Sequence, residues 1–258
     1  MNKKPLSVNF EFCNSCNLNC KMCDIYYRKQ HGLKKNFLSF EHWKKGLLSL
    51  EKFKDRMVVV SPHWIGEPIM HPNFGKFIEF AFTHNNNNRL FRHFHFSTNG
   101  ILLDKNMSYI IKCARNPQLK KDTFYSINFS LDAYSSSVYK NIKKYDFLKK
   151  VVNNVLRLLE IEKRYNLLYP KIHISFVVME ENCHEAKAFL KYWSNIFKRY
   201  DREFRVTFKA PIEPFDAVYF RRLSHPDQMR ANQLHYTTLK SLGVVRNYKE
   251  YSLLGGEF

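Results

Sequence analysis

Ser7-Val-Asn-Phe-Glu-Phe-Cys-Asn-Ser-Cys-Asn-Leu-Asn-Cys-Lys-Met-Cys23 is an apolar-alternating run followed at once by closely spaced cysteines. The alternation over Ser7 to Phe12 reads as a strand, so Cys16, Cys20 and Cys23 fall on the loop that leaves it. Three thiolates on one short loop make an incomplete metal site. A [4Fe–4S] cluster needs a ligand for each of its irons, and three cysteines leave one iron open to an outside ligand. Structural zinc asks instead for four closed ligands in two separated pairs, and no second Cys-x-x-Cys or His-x-x-x-His follows. Disulfides suit small secreted chains, whereas this one has 258 residues, six cysteines and no signal-peptide apolar core behind Met1-Asn-Lys-Lys4. A reducing, cytoplasmic setting is the expectation. Cys13, Cys113 and Cys183 read as structural thiols, since buried packing is the commoner fate of a lone cysteine.

Glu11-Phe-Cys-Asn-Ser-Cys-Asn-Leu-Asn-Cys-Lys-Met-Cys23 resembles the signature of the radical SAM enzymes, Cys-x3-Cys-x2-Cys in the loop after the first strand of a barrel. The version is most like that of the SPASM and twitch-type subgroup. The resemblance implies a [4Fe–4S] cluster on Cys16, Cys20 and Cys23 whose open iron takes the amino and carboxylate groups of S-adenosylmethionine. It also implies an external one-electron reductant, whose electron cleaves the sulfonium to give a 5′-deoxyadenosyl radical.

The order of elements agrees. A helix is expected from Ser39, as N-cap, to Leu50, and Met57-Val-Val-Val-Ser61 reads as a buried parallel strand. Helices over 74–84 and 104–113 then alternate with strands over 90–98 and 125–131. Beyond them come a long helix over 148–165, a strand over 171–179, a helix over 184–200 and a sixth strand over 204–210. Six strand–helix alternations predict an α/β fold with a parallel sheet, which the resemblance makes a partial (β/α)6 TIM-like barrel. A full eight-fold barrel takes roughly 250 residues for its repeats alone. The expected division is a core barrel over 1–210 and a short C-terminal extension over 211–258, with a loop at Pro211-Ile-Glu-Pro-Phe-Asp216 and a helix over 226–242. No cysteine lies beyond Cys183, so the auxiliary-cluster domain of the subgroup is not in this stretch.

Active sites of such barrels lie at the carboxyl ends of the strands. Trp64-Ile-Gly-Glu-Pro68 resembles the family's Gly-Gly-Glu-Pro motif, which implies that Gly66 lets the backbone approach the cofactor and that Glu67 meets its ammonium. Ile65 replaces the first glycine of the motif, and a lone Gly-Glu-Pro is otherwise ordinary turn chemistry. Ser97-Thr-Asn-Gly100 and Ser130-Leu-Asp132 resemble the segments that contact the ribose and the methionyl carboxylate, which gives Asn99, Ser130 and Asp132 as cofactor-binding residues. Lys143 falls where the family often places an arginine near the carboxylate, and Met22 where it often has an aromatic residue against the adenine. Val177-Val-Met-Glu-Glu-Asn182 resembles the segment that closes over the adenine, and a buried strand end would look the same. No further catalytic residue is identifiable beyond the cluster and cofactor.

Composition bears on partners. Lys and Arg number 42 against 23 Asp and Glu, for a net charge of +19, which raises the prior for a polyanionic partner. The excess is spread, at +8 over residues 1–100 and +11 over 101–258, and no basic tail stands out. Lys143-Lys-Tyr-Asp-Phe-Leu-Lys-Lys150 is the densest cluster and reads as a solvated helix face. No apolar run approaches the length of a membrane span. His93 and His95 share one face of a strand; with no carboxylate or cysteine near in sequence, substrate-side hydrogen bonding or satisfied packing is favoured over metal ligation. Asn85 to Asn88 reads as a surface loop. Two classes remain. The leading one is a radical enzyme acting on a peptide or protein, with a small metabolite, sugar or RNA as the alternative substrate. The other is a non-catalytic, metal-stabilised nucleic-acid-binding protein.

Overall fold

The computed structural model describes residues 4–24, 29–32, 34–120, 123–210 and 214–253. Strands β1 (Leu6–Asn9), β2 (Val58–Ser61), β3 (His93–Thr98), β4 (Phe124–Ser130) and β5 (Lys171–Val178) lie side by side in sequence order, every pair parallel. Between them run helices α1 (Phe40–Leu48), α2 (Phe74–Asn88), α3 (Leu103–Ala114), α4 (Ser136–Lys143) and α5 (Leu148–Arg164). Parallel neighbours need such crossovers because the chain must return to the same end of the sheet before each new strand. After β5 come α6 (Ala186–Arg199), β6 (Phe204–Thr207), β7 (Asp216–Arg222), α7 (Gln228–Ser241) and α8 (Tyr248–Leu253). The sheet order is β1-β2-β3-β4-β5-β7-β6, with β1 and β6 as its open edges. The expected α/β partial barrel is present.

The segment after β6 departs from the reading of the sequence. Residues 204–210 were expected to form the sixth strand and 211–216 a loop, with no strand beyond. Here β7 pairs with β5 (His173 with Ala217 through Val178 with Arg222), and β6 is displaced to the edge beyond it. A buried ion network sits at the start of β7. Asp216 accepts a hydrogen bond from the Ile172 amide at 2.6 Å and pairs with both Nε and Nη2 of Arg202, which also reaches Glu162 at 3.2 Å. Residues 211–213 of the expected loop and 254–258 of the expected terminus lie outside the described residues.

Local chemistry accounts for the helix ends. Ser39 caps α1 by accepting from the His42 amide, and Asp227, one residue after the expected start, caps α7 by accepting from the Arg230 amide. The Asn85–Asn88 run is helical rather than a surface loop. It forms the last turn of α2, closed by Arg89 in the left-handed conformation, and buried Asn85 accepts from the Phe91 amide at 2.8 Å and donates to Thr123 Oγ1. Helix α4 was not anticipated: Ser135 caps it, and buried Glu185 accepts from the amides of Tyr134 and Ser135.

The two faces of the sheet differ in kind. Phe94, Phe96, Ile127, Phe129, Ile172, Ile174, Phe176, Val218 and Phe220 are buried in the core that the helices cover. Helix α5 presents Val151, Val155, Leu158, Leu159 and Glu162 at three- and four-residue spacing, the period that keeps one stripe turned inward. The opposite parity carries His93, His95 and Ser97 on β3, Ser126, Asn128 and Ser130 on β4, and His173 and Ser175 on β5. Complete barrels fill this interior with branched apolar side chains. This lumen is polar. No helix of the described residues is long and apolar enough to cross a membrane.

Candidate active site

A cavity of about 550 Å³ opens at the carboxyl ends of the strands, within the ~300–1,000 Å³ range of small-molecule sites. All ten residues singled out from the sequence line it: Cys16, Cys20 and Cys23 from the loop after β1, Gly66 and Glu67 after β2, Asn99 after β3, Ser130 and Asp132 at the end of β4, Lys143 at the end of α4, and Met22.

The cysteine loop is anchored from several sides. Lys29 Nζ donates to the carbonyls of Cys16 and Leu18 and to Asn19, the Lys21 amide donates to Ile142 at the end of α4, and the Glu67 amide donates to Ser15. Gly66 packs against this loop so tightly that a Cβ would lie 1.9 Å from the Cys13 carbonyl oxygen. That contact explains the glycine better than approach to a ligand. Glu11, which sequence reading passed over, accepts from the amides of Ile65 and Gly66 at 2.8 and 2.9 Å. The missing first glycine of the motif therefore leaves the turn intact, because its amide and not its lack of side chain is what the site uses. Cys13 is buried, its backbone bridges to Phe37 in an isolated antiparallel pair, and its thiol donates to the Ser15 carbonyl at 3.5 Å.

The donor set suits a cationic metal cluster. Burial first, then the charge of Glu67 and the proximity of Cys20 and Cys23, push the Cys16 thiol up to about 12. Burial also raises Cys20, with Lys143 opposing. Two buried thiols that resist ionisation, with the Cys23 thiol beside them, are what a bound cation resolves, since coordination deprotonates its thiol ligands outright. Among the described residues no three His, Cys, Asp or Glu side chains converge to hold a single metal ion. Asn99 donates from Nδ2 to Asn17 at 2.7 Å and lies 3.6 Å from Cys16 Sγ, so it touches a candidate ligand directly. Such bonds to thiolate sulfur tune iron–sulfur centres.

Glu67 and Lys143 are more committed than sequence suggests. Glu67 Oε1 accepts from Thr98 Oγ1 at 2.7 Å and the Ile69 amide, and Oε2 accepts from the Asn99 amide at 2.7 Å. A carboxylate has about four lone-pair sites, so one remains on Oε2 for an ammonium. Burial raises Glu67 to about 7 against these three bonds. Lys143 is paired with Asp132 at 2.5 Å, both almost fully buried. Burial alone would depress the lysine, but Asp132, helped by Cys20 and Tyr139, outweighs it and holds the ammonium charged. Asp132 adopts the left-handed conformation, φ 61°, and its Oδ1 accepts from the Val177 amide at 2.7 Å. The pair thus ties the ends of β4, β5 and α4 together beside the cavity.

His93 and His95 do share a face, and they share a partner too: both ring nitrogens lie 2.7–2.8 Å from Ser126 Oγ. His63, from the loop after β2, meets His95 edge-on with ring centres 5.7 Å apart, and His173, on β5, lies tilted 5.8 Å from it. Neither His63 nor the cavity-lining Arg221 was singled out from sequence, and nothing in their neighbours marks them.

The model of the radical SAM superfamily matches residues 10–192, well over half of the chain. No curated protein matches. Among solved structures, anSMEcpe with bound AdoMet and Cp18Cys peptide is similar at 17% identity and a TM-score of 0.56, over 98% of this chain and 62% of that one. HydG, a maturase of the [FeFe]-hydrogenase, is similar at 11% identity and 0.55, over 93% of this chain and 50% of that one. This chain thus spans less than two thirds of the length of either. At such identities the likeness is one of fold. With the family model covering the cysteine loop and the strands that build the cavity, the chain belongs to the radical SAM superfamily, enzymes that use a [4Fe–4S] cluster with S-adenosylmethionine.

Proposed function

We propose that this radical SAM enzyme holds its cluster on Cys16, Cys20 and Cys23, binds S-adenosylmethionine in the adjoining cavity, and acts on a peptide or protein. The observation that carries the site is the convergence of all ten residues, from five separate segments, on one cavity. When bound, the cluster and cofactor supply the 5′-deoxyadenosyl radical that removes a hydrogen atom from the substrate. The chain's own part is to bind, orient and exclude water. Cys16, Cys20 and Cys23 hold three irons, the free lone pair of Glu67 receives the cofactor's ammonium, and the Asn99 amide steadies the Cys16 sulfur. Met22 packs its thioether against the adenine. Ser130 and the Asp132–Lys143 pair form the polar wall toward the ribose and methionyl carboxylate.

A peptide substrate is supported by the shape of the mouth. A second space of about 460 Å³ continues from the cavity, sharing Met22, Cys23, Asp24, Leu223 and Ser224, and adds Val178, Met179 and Leu234 with the Arg230–Glu180 ion pair at its rim. An apolar floor with a charged rim suits an extended chain. The anSMEcpe structure of the same fold carries a bound peptide.

Anaerobic reconstitution tests the reading. Iron and sulfide should each approach four per chain, and the Cys16→Ala/Cys20→Ala/Cys23→Ala variant should lose both. Under reductant, candidate peptides should stimulate 5′-deoxyadenosine release. A full cluster in the triple variant would sink the ligand assignment, and stimulation by RNA or sugars but by no peptide would sink the substrate class.

A further inference from the structure

The polar lumen beneath the cavity holds a constellation that cofactor binding does not use. Strand register stacks it in rows: His95 beside Ser126, Ser97 beside Asn128 and His173, Ser130 beside Ser175 and Tyr219, and Val177 beside Arg221. Asn128 Nδ2 donates across three strands, to Ser97 Oγ and Ser175 Oγ at 3.2 Å each. The Ser97 amide donates to His63 Nδ1 at 3.2 Å. Within this packed interior His93 Nδ1, His173 Nδ1 and Asn128 Oδ1 are buried without a hydrogen-bond partner. Buried polar atoms are ordinarily satisfied, so three orphans in one lumen mark an interior with polar capacity to spare beneath the cavity.

Arg221 is the cation at the upper end of this lumen. It is exposed at the mouth, where it lines the cavity with Asn9, His63, Ser97 and Ser130, and Tyr219 precedes it on the same face of β7. Burial first, and the Arg221 charge after it, keep the imidazoles of His63 and His95 neutral. The buried carboxylates nearest the site are spoken for, Glu67 by Thr98 and Asn99 and Asp132 by Lys143, and no carboxylate of the described residues pairs with Arg221. The four histidines do not converge on one metal ion. A guanidinium with no carboxylate partner among the described residues, exposed at the mouth of a concave site, matches the planar oxygens of a carboxylate or phosphate, which its fork can grip in a bidentate manner.

We propose that Arg221, backed by Tyr219, His63 and His95, binds an anionic group of the substrate, a carboxylate or phosphate, and so hangs the reacting part of the substrate over the lumen below the cofactor cavity. This rests on the radical SAM reading of the cavity and narrows the substrate within it. In a peptide the anionic group is an acidic side chain or the terminal carboxylate.

The cluster-loaded chain and its Arg221→Gln, Arg221→Lys and Arg164→Gln variants are titrated by calorimetry with inorganic phosphate, acetate and S-adenosylmethionine at constant ionic strength. Arg164 is exposed on α5, paired with Glu160, and controls for general charge. Arg221→Gln should weaken phosphate binding about tenfold or more, Arg221→Lys by an intermediate factor because it keeps the charge without the fork, and Arg164→Gln not at all. Affinity for S-adenosylmethionine should not change. Absence of phosphate and acetate binding in the parent chain, or equal affinity in Arg221→Gln, overturns the proposal. So does a parallel loss of S-adenosylmethionine affinity, which would assign Arg221 to the cofactor's own carboxylate. These titrations need no turnover, so failure of the peptide reading, seen as no peptide-stimulated deoxyadenosine, is distinguishable from failure of the anion site.

Discussion

Gly66 shows how much a single atom decides. A methyl group there would lie 1.9 Å from the Cys13 carbonyl oxygen, and backbone cannot yield as a flexible side chain does. Gly66→Ala should therefore push the cysteine loop away from the motif and cost about 1–3 kcal/mol, as overpacking does. Iron content after reconstitution is the readout, and a full iron complement with unchanged stability would show that the two segments are not locked together. At Glu67 the change is chemical rather than steric. Glu67→Gln replaces an acceptor oxygen by an amide that faces the Thr98 hydroxyl or the Asn99 amide, so donors meet donors. The lost charge-assisted bond to an ammonium is worth about 1.5–3 kcal/mol, and affinity for S-adenosylmethionine should fall roughly ten- to a hundredfold by calorimetry. Unchanged affinity would remove Glu67 from the cofactor site.

At the scale of elements, β7 is the strand that completes the lumen, and a polar contact places it. Asp216 is buried at its first residue, bonded to β5 through the Ile172 amide and to Arg202 through two nitrogens. Asp216→Ala leaves Arg202 facing Glu162 alone, and breaking one side of a buried pair costs about 3–5 kcal/mol. Denaturant unfolding measures it. A loss below about 1 kcal/mol, the scale of an exposed pair, would mean that apolar burial of Val218 and Phe220 docks β7 without the network. The strand carries Tyr219 and Arg221, so the same substitution should disturb anion binding while leaving intact the cysteine loop, which follows the edge strand β1.

Across the whole molecule, burial of imidazoles shapes the response to pH. His63 and His93 are lowered to about 3, His95 and His235 to about 4, and His173 well below its ordinary value, in every case chiefly by desolvation. A histidine depressed in the fold contributes stability that is present above 6.5 and is lost as pH falls toward the folded value. Glu67 and Glu162, raised by burial to about 7 and about 8, act in the opposite sense: their contribution is present below the ordinary carboxyl value of 4.5 and is lost as pH rises through 7 to 8. These five imidazoles, with His71 also lowered by burial, outnumber two carboxyls. Stability of the metal-free chain should climb from pH 4.5, pass a maximum near 6.5 and decline toward 8. Each group changes the slope by about 1.4 kcal/mol per pH unit at full effect. Urea unfolding across this range gives the curve, and His95→Gln should flatten its acid limb by one proton. A curve flat from 5 to 8 would show that these histidines are solvated.

The cysteine triplet, the strand–helix alternation and the loop residues at strand ends were legible in the sequence, because each rests on short-range spacing that local physics dictates. Period-two and period-3.6 patterns name the elements, and parallel strands carry their loops to one end. Hence all ten residues read from sequence line one cavity. What tertiary structure alone decided are the pairings that join segments far apart in the chain. The place of β7 between β5 and β6 depends on Asp216 meeting Arg202 and Ile172, and the helical fate of Asn85 on a bond to Phe91 and Thr123. Glu11 serves the motif turn 54 and 55 residues away, and Arg221 acquires its setting only when β7 brings it to the cavity that His63 also lines. Local pattern carries no record of such partners, since an ion pair or a hydrogen bond is specified by distance in space, and distance in space is set by the packing of the whole sheet.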